Sequence, residues 1–220
     1  MKTADIMKFN SNKYKPVSWS KLLLDSLTAN QSEYPLILAN NQWAIVPMVY
    51  LKQMDKHILV TATTTELVSS KPFKCVSNTY LEERGLSTIK FTSKMPNIEI
   101  KNKDYVLLCK QLLLNVLKTM EDIVTYTYQH LLGREAEGVP LTRHEIIQFS
   151  FAEVVSLCNL VKVALDGQID TFAELDNICS YILAGLHGLA RLGGGRAILS
   201  GNVVELMFHL KLFQSTYLKH

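Results

Sequence analysis

Asp104-Tyr105-Val106-Leu107-Leu108-Cys109-Lys110-Gln111-Leu112-Leu113-Leu114-Asn115-Val116-Leu117-Lys118-Thr119-Met120 opens an apolar run that continues to Gly133, and its reading decides the fold. Leu107, Leu108, Leu112, Leu113, Leu114, Val116, Leu117, Met120, Ile123 and Val124 spread over more than one face of a helix. That pattern belongs to a central helix, or to one buried against a second subunit. Three more helices are predicted after Asp104–Gly133: Thr142–Gly167, Asp170–Arg191 and Asn202–Tyr217. Each has a start signal. Thr142-Arg143-His144-Glu145 and Thr171-Phe172-Ala173-Glu174 read as capping boxes, in which hydroxyl and carboxylate satisfy each other's free amides. Asn202-Val203-Val204-Glu205 offers an N-cap and a first-turn acid. Residues 101–220 are therefore expected to form an antiparallel four-helix bundle.

Upstream the periodicity changes. Residues 1–35 are a polar lead-in followed by a short amphipathic helix from Ser18, with Leu22, Leu23, Leu24 and Leu27 apolar. Residues 36–100 carry short β-branched and aromatic runs, Trp43–Leu51, His57–Thr65, Lys74–Leu81 and Thr88–Thr92, then Ile98-Glu99-Ile100. Turn signals at Asn40-Asn41, Gln53–Lys56, Ser69–Pro72 and Glu82–Gly85 separate them. This reads as a small antiparallel β domain leaning on the helices. The fold class is α+β and mostly α.

The totals exclude several functions. With 48% hydrophobic and 20% charged residues over 220 positions, the chain can bury a real core. A net charge of +3, without a Lys/Arg cluster or interleaved aromatics, points away from nucleic acid. Cys75, Cys109, Cys158 and Cys179 have no C-x-x-C spacing and are expected to be buried, reduced thiols of a cytoplasmic protein. No apolar h-region marks the N-terminus, and the apolar runs are expected to break before the roughly 18 residues of a membrane span.

Two loops are the places to look for chemistry: Arg134–Leu141, and Gly193-Gly194-Gly195-Arg196. Arg134 follows the last turn of a helix. A cation there can complement the helix dipole, or its guanidinium can clamp an anion through paired bonds. One glycine after a helix is an ordinary C-terminal signal; three allow a neighbouring helix or a ligand to approach the backbone closely. Arg191 and Arg196 flank that run and could meet phosphate or carboxylate. A zinc helix starting at His144-Glu145 would need His at 148, which is Gln148, so no metal ligands are assigned. Neither a matched pair of carboxylates nor a G-x-S-x-G elbow is present.

The order of these pieces resembles the acyl-CoA dehydrogenases. Tyr128 to Glu153 is similar to that family's helix–loop–helix, with Arg134 at the head of the loop. Arg84-Gly85-Leu86-Ser87-Thr88-Ile89-Lys90-Phe91 to Pro96 looks like the last strand of its middle β domain. Gly194-Gly195, Val204-Glu205 and Tyr217 fall in step with its Gly-Gly, Pro-Val-Glu and Tyr-Glu-Gly-Thr segment. The resemblance spans about 36–220 and implies a flavoprotein that binds FAD across a subunit interface and oxidises an acyl thioester at its α,β carbons. By position, Arg134 would contact the FAD pyrophosphate of a neighbouring subunit, Gly194 and Gly195 would let it approach, and Arg191 stands where the family has Gln.

Departures from the pattern are equally specific. The N-terminal helical domain is absent or reduced to the stub before residue 36, Trp43-Ala44-Ile45 is the nearest counterpart of the flavin-contacting loop, and Glu137 replaces a Phe. The general-base Glu expected after Tyr217 is Leu218, and the alternative base position falls near Leu108, Cys109 and Lys110, without an acid. No catalytic residue is assigned. Three readings follow: a dehydrogenase-like subunit whose partner chain supplies the missing wall and base; a non-catalytic subunit pairing with itself or a full-length dehydrogenase; or a flavin-free module cradling an apolar ligand in the bundle.

Overall fold

A computed structural model describes residues 18–28, 36–39, 42–51, 57–61, 65–68, 73–91, 103–194 and 202–218. Helix α1 (Trp19–Thr28) starts as expected, with the Ser18 hydroxyl accepting from the Lys21 amide at 3.3 Å. It buries Trp19, Leu22, Leu23 and Leu27.

The β region comprises β1 (Leu36–Leu38), β2 (Trp43–Pro47), β3 (His57–Val60), β4 (Thr65–Val68), β5 (Phe73–Val76) and β6 (Leu86–Phe91). They form two three-stranded sheets, ordered β1-β3-β4 and β2-β6-β5. All pairings within them are antiparallel except β1 with β3, which is parallel. Two expected strands are cut short. Trp43–Leu51 ends at Pro47, and Met48–Leu51 becomes one helical turn, α2, whose first amide bonds the Gly85 carbonyl at 2.8 Å. Lys74–Leu81 ends at Val76, because Asn78 caps the turn α3 (Thr79–Glu82): its Oδ1 accepts from the Leu81 amide at 3.3 Å, and the Glu82 carboxylate accepts from the Asn78 amide at 3.1 Å. The run His57–Thr65 divides between β3 and β4. Asn40-Asn41 and Ile98-Glu99-Ile100 lie outside the described residues.

Four long helices follow: α4 (Lys103–Leu132), α5 (Glu145–Asp166), α6 (Phe172–Gly193) and α7 (Asn202–Phe213), the last continued by a π turn, Gln214–Leu218. Helix α4 is the central one, with a buried surface that runs from Leu108 and Leu112 round through Leu113 to Leu117 on the opposite side. It packs against α1, α5 and α6, while α6 packs against α5 and α7. Small residues set the close approaches. A Cβ on Gly188 of α6 would lie 2.8 Å from Val154 Cγ2, and one on Gly185 would collide with the end of Met120.

The capping expectations divide. At α6 the box is present: Thr171 Oγ1 accepts from the Glu174 amide at 3.2 Å, and Glu174 accepts from the Thr171 amide at 2.9 Å. At α5 it is not. The chain enters through a 3-10 turn, Leu141–Arg143, and the N-cap is His144 without a side-chain bond. Glu145 is then the first helical residue, too early to reach back, while Thr142 is buried and its carbonyl takes the Gln148 side-chain amide at 3.2 Å. The Asn202 side chain lies outside the described residues; Glu205 is in the first turn of α7, as expected. Cys109, Cys158 and Cys179 are buried free thiols, but Cys75 is exposed on the edge strand β5, contrary to expectation. Burial pushes Cys158 up to about 11.

Helix α5 corrects the sequence reading in another respect. By length and a mean hydropathy of 1.5 it could cross a membrane. Its buried stripe, Phe151, Val154, Cys158, Val161 and Leu165, faces the other helices, and the rest of its apolar surface faces outward.

Candidate functional site

The short connections make α4 and α6 run one way and α5 and α7 the other. Contacts fix the two ends of the assembly. At one end Tyr105 of α4 meets Phe172 of α6 edge-on at 5.4 Å, and Lys110 Nζ donates to the Gly167 carbonyl beyond α5 at 3.0 Å. The opposite end gathers the last turns of α4 and α6 with the first turns of α5 and α7.

That opposite end holds the predicted cofactor residues. After α4 the chain turns, with the Arg134 amide donating to the Leu131 carbonyl at 3.2 Å. It then forms a miniature hairpin, β7 (Glu135–Ala136) with β8 (Val139–Pro140). Glu137 and Gly138 both have positive φ, 56° and 77°, as a two-residue turn between twisted strands requires. The Leu141 amide closes the loop on the Arg134 carbonyl at 2.8 Å. The side chain of Arg134 stays exposed and pairs with no acid among the described residues.

Arg191 occupies the last turn of α6, exposed and likewise without an acidic partner among the described residues. Gly194 caps that helix at φ +53°, a conformation that favours glycine, and its amide bonds the Ala190 and Arg191 carbonyls at 3.1 and 3.2 Å. The space beside Gly194 is open, so within the described chain no close approach explains it. Gly195 and Arg196 lie outside the described residues. Arg134, Arg191 and Gly194 thus share one end of the bundle, and among the described residues no hydrogen bond or ion pair joins Arg134 to the other two.

The position expected to carry the base is elsewhere. Tyr217 and Leu218 are 3% and 4% exposed, so Leu218 fills apolar space rather than a solvated cleft. Tyr217 belongs to the Tyr105 end: Tyr105 Oη donates to the Tyr217 carbonyl at 3.0 Å, and Tyr217 Oη accepts from the Ile45 amide of β2 at 2.7 Å. Burial holds both phenols well above their ordinary range. Leu108 and Cys109 are buried, and Lys110 is engaged by Gly167, so the second base position has no acid either. From Tyr105 to the end of α4 the helix rises ~40 Å. One extended dinucleotide could not touch both ends of this chain.

Trp43-Ala44-Ile45, the nearest counterpart of a flavin-contacting loop, is part of strand β2. Trp43 is 39% exposed with Lys90 Nζ 5.2 Å from its ring centre. The space between β2 and α7, lined by Trp19, Ile45, His209, Phe213 and Tyr217 among others, is a cavity of about 10 Å³. It would admit a single water at most. Arg134 and Arg191 are exposed cations of the kind that can pair with the anionic part of a nucleotide, whereas the cavity between β2 and α7 is too small for a flavin ring system.

Sequence reasoning missed a polar cluster where the β region meets α7. Arg84 Nε lies 3.0 Å from Glu205 Oε1, its guanidinium sits 3.7 Å over the Tyr80 ring, and Nη1 donates to the Tyr80 carbonyl at 3.0 Å. The Nε–H does not aim at the carboxylate, so this is an ion pair without a hydrogen bond. His209 is beside it, stacked on Trp19 at 5.7 Å. Its Nδ1 is 2.9 Å from the Glu205 carbonyl, while Nε2 is buried without a partner. Burial lowers its pKa against the opposing pull of Glu205, with Arg84 lowering it further. The spacing Glu205–His209 is the only hint the sequence offered.

No protein-family model matches the chain, and no curated protein matches it. Solved structures do. FkbI, for biosynthesis of the methoxymalonyl extender unit of the Fk520 polyketide immunosuppressant, aligns with TM-score 0.54 at 13% identity over 81% of this chain and 60% of its own. The FAD complex of PigA aligns with TM-score 0.53 at 11% identity over 82% and 58%. A Mycobacterium smegmatis chain described as an acyl-CoA dehydrogenase aligns with TM-score 0.53 at 11% identity over 91% and 70%. The chain spans about 60% of the length of the first two. In its β region and helices, this chain has the fold of the acyl-CoA dehydrogenases.

Proposed function

We propose that the chain is a subunit of an acyl-CoA dehydrogenase-like flavoprotein acting on an acyl thioester, carried on CoA or a carrier protein, with a further chain completing the site. The observation that carries this reading is Arg134: an exposed guanidinium, without an acidic partner among the described residues, on a hairpin closed by its own backbone, in a fold shared with the FAD complex of PigA. A preorganised cation of this kind suits a pyrophosphate. FAD, once bound, would accept hydride from the acyl chain; this chain's share would be to hold its anionic bridge through Arg134, with Arg191 near the same end. The ~40 Å between that end and the Tyr217–Leu218 corner supports a flavin shared between subunits, since each would meet different ends of different chains.

A second reading is favoured by Leu218. With that position apolar and buried, Leu218 offers no agent for α-proton removal, and a positioned base contributes about 10²–10⁴ in rate. The chain would then be a non-catalytic partner of a complete dehydrogenase. Purification alone and with candidate partner chains, in excess FAD, tests both. Flavin absorbance that bleaches on adding acyl thioester supports the first reading, and a colourless complex overturns it. Arg134→Ala should cut flavin content by about tenfold, as expected for one charge-assisted contact, with unchanged circular dichroism. Full occupancy in that variant would remove the clamp assignment.

A further inference from the structure

His209 carries an acceptor that the chain itself does not satisfy. It is 1% exposed, and its Nδ1 lies 2.9 Å from the Glu205 carbonyl. A carbonyl oxygen only accepts, so Nδ1 holds the ring proton and Nε2 is left with a lone pair. That Nε2 is buried and has no hydrogen-bond partner. Buried polar atoms in this condition are rare in native proteins, and each calls for a partner.

Tyr217 has the opposite need. Its Oη accepts from the Ile45 amide at 2.7 Å, and among the described residues nothing accepts its own proton. The side chain is buried, so bulk solvent does not take that proton either. An unmet acceptor and an unmet donor therefore belong to two residues that border one space: His209 and Tyr217 both line the cavity of about 10 Å³ between β2 and α7. The rest of its wall is aliphatic or aromatic, with the Trp19 ring stacked on His209. A purely apolar cavity stays dry, whereas about one probe sphere of space with polar groups on its wall suits a water. Arg84 Nε is also buried without a hydrogen bond, but Arg84 is no part of that wall.

We infer that this cavity is a binding site for one structural water, which accepts from the Tyr217 hydroxyl and donates to His209 Nε2. With the water bound, hydrogen bonds run unbroken from the Ile45 amide through Tyr217, the water and the imidazole to the Glu205 carbonyl. Every link donates in the same sense, an arrangement in which neighbouring bonds polarise and strengthen one another. The series starts in β2, passes the π turn and ends in the first turn of α7, so it ties the sheet to both ends of the last helix. Size and chemistry set the ligand together. Nothing larger than a water fits, and only a molecule that both donates and accepts completes the series.

NMR of the full chain near neutral pH tests it. The ring nitrogen shifts of His209 should report a protonated Nδ1 and a hydrogen-bonded Nε2. Water-selective NOEs should connect one long-lived water to the His209 ring and to the Tyr217 ring. Neither measurement needs a substitution, so a variant that folds poorly does not decide the matter. In unfolding titrations, the double variant Tyr217→Phe with His209→Phe should lose at least about threefold less in equilibrium constant than the product of the two single losses, because one water serves both partners. Four results overturn the inference: a protonated Nε2 with a bare Nδ1; no long-lived water at either ring; single losses that simply multiply; or an Nε2 hydrogen bond that disappears in Arg84→Ala, which would make Arg84 the donor.

Discussion

Arg84, in the turn before β6, and Glu205, in the first turn of α7, meet at 3.0 Å across the junction of sheet and bundle. Both are about one-third exposed or less, and Tyr80 stacks against the guanidinium. An exposed pair of this kind contributes about 0.2–1 kcal/mol, and the cation–π contact about as much. A double-mutant cycle on Arg84→Ala and Glu205→Ala should return a coupling of about 0.5 kcal/mol that shrinks as salt is added. A coupling that ignores salt would mean that packing, not charge, joins the two.

His209 makes the same junction sensitive to acid. Its folded pKa is depressed by burial, so the unfolded chain takes up a proton first as pH falls. Its contribution to stability is complete above about pH 6.5 and is lost progressively below that value. Urea titrations at pH 7.5 and 5.5 should show a fall for the wild type, and a smaller one for His209→Gln. Equal slopes in the two proteins would clear His209 of the effect.

Tyr217 gives the simplest stability test. Tyr217→Phe leaves the buried Ile45 amide without its 2.7 Å partner, and an orphaned buried donor costs about 1–3 kcal/mol. The expected sign is a lower denaturation midpoint with an unchanged m-value. No change would mean that water or a shift of β2 replaces the phenol.

At α6, Thr171→Ala removes the cap and should cost about 1 kcal/mol. Gly188→Ala gains about 1 kcal/mol of helix propensity but forces Val154 aside, for overpacking of about 1–3 kcal/mol. Net destabilisation is expected. Combined with Val154→Ala, the two penalties should fall short of their sum, because the new methyl fills part of the space vacated.

The helical half was legible because its signals are local. The apolar spread of Leu107 to Val124 marked a central helix, and Thr171–Glu174 is a cap that depends on four consecutive residues. Where a second influence competes, the reading failed. Thr142–Glu145 has the same letters, but a preceding 3-10 turn moves the helix start to Glu145. The β-rich letters of Lys74–Leu81 lost to one Asn cap at position 78. The candidate residues Arg134, Arg191 and Gly194 were found through order along the chain. Their shared end follows from helix direction, which the short loops already imply. Their distance from Leu218 was not legible, since it depends on Tyr105 and Tyr217 meeting across 112 positions.

The bond between Ile45 and Tyr217 also sets an order of events during synthesis. The two residues are 172 positions apart, and β2 lies at the edge of its sheet. While a ribosome is still making α7, that edge has an amide with no acceptor, and α1 has a Trp19 with neither His209 nor Phe213 to lie on. The early third of the polypeptide therefore completes these contacts only after Tyr217 has been made and released from the ribosome. Nascent chains stalled shortly before that point should be the ones that chaperones hold.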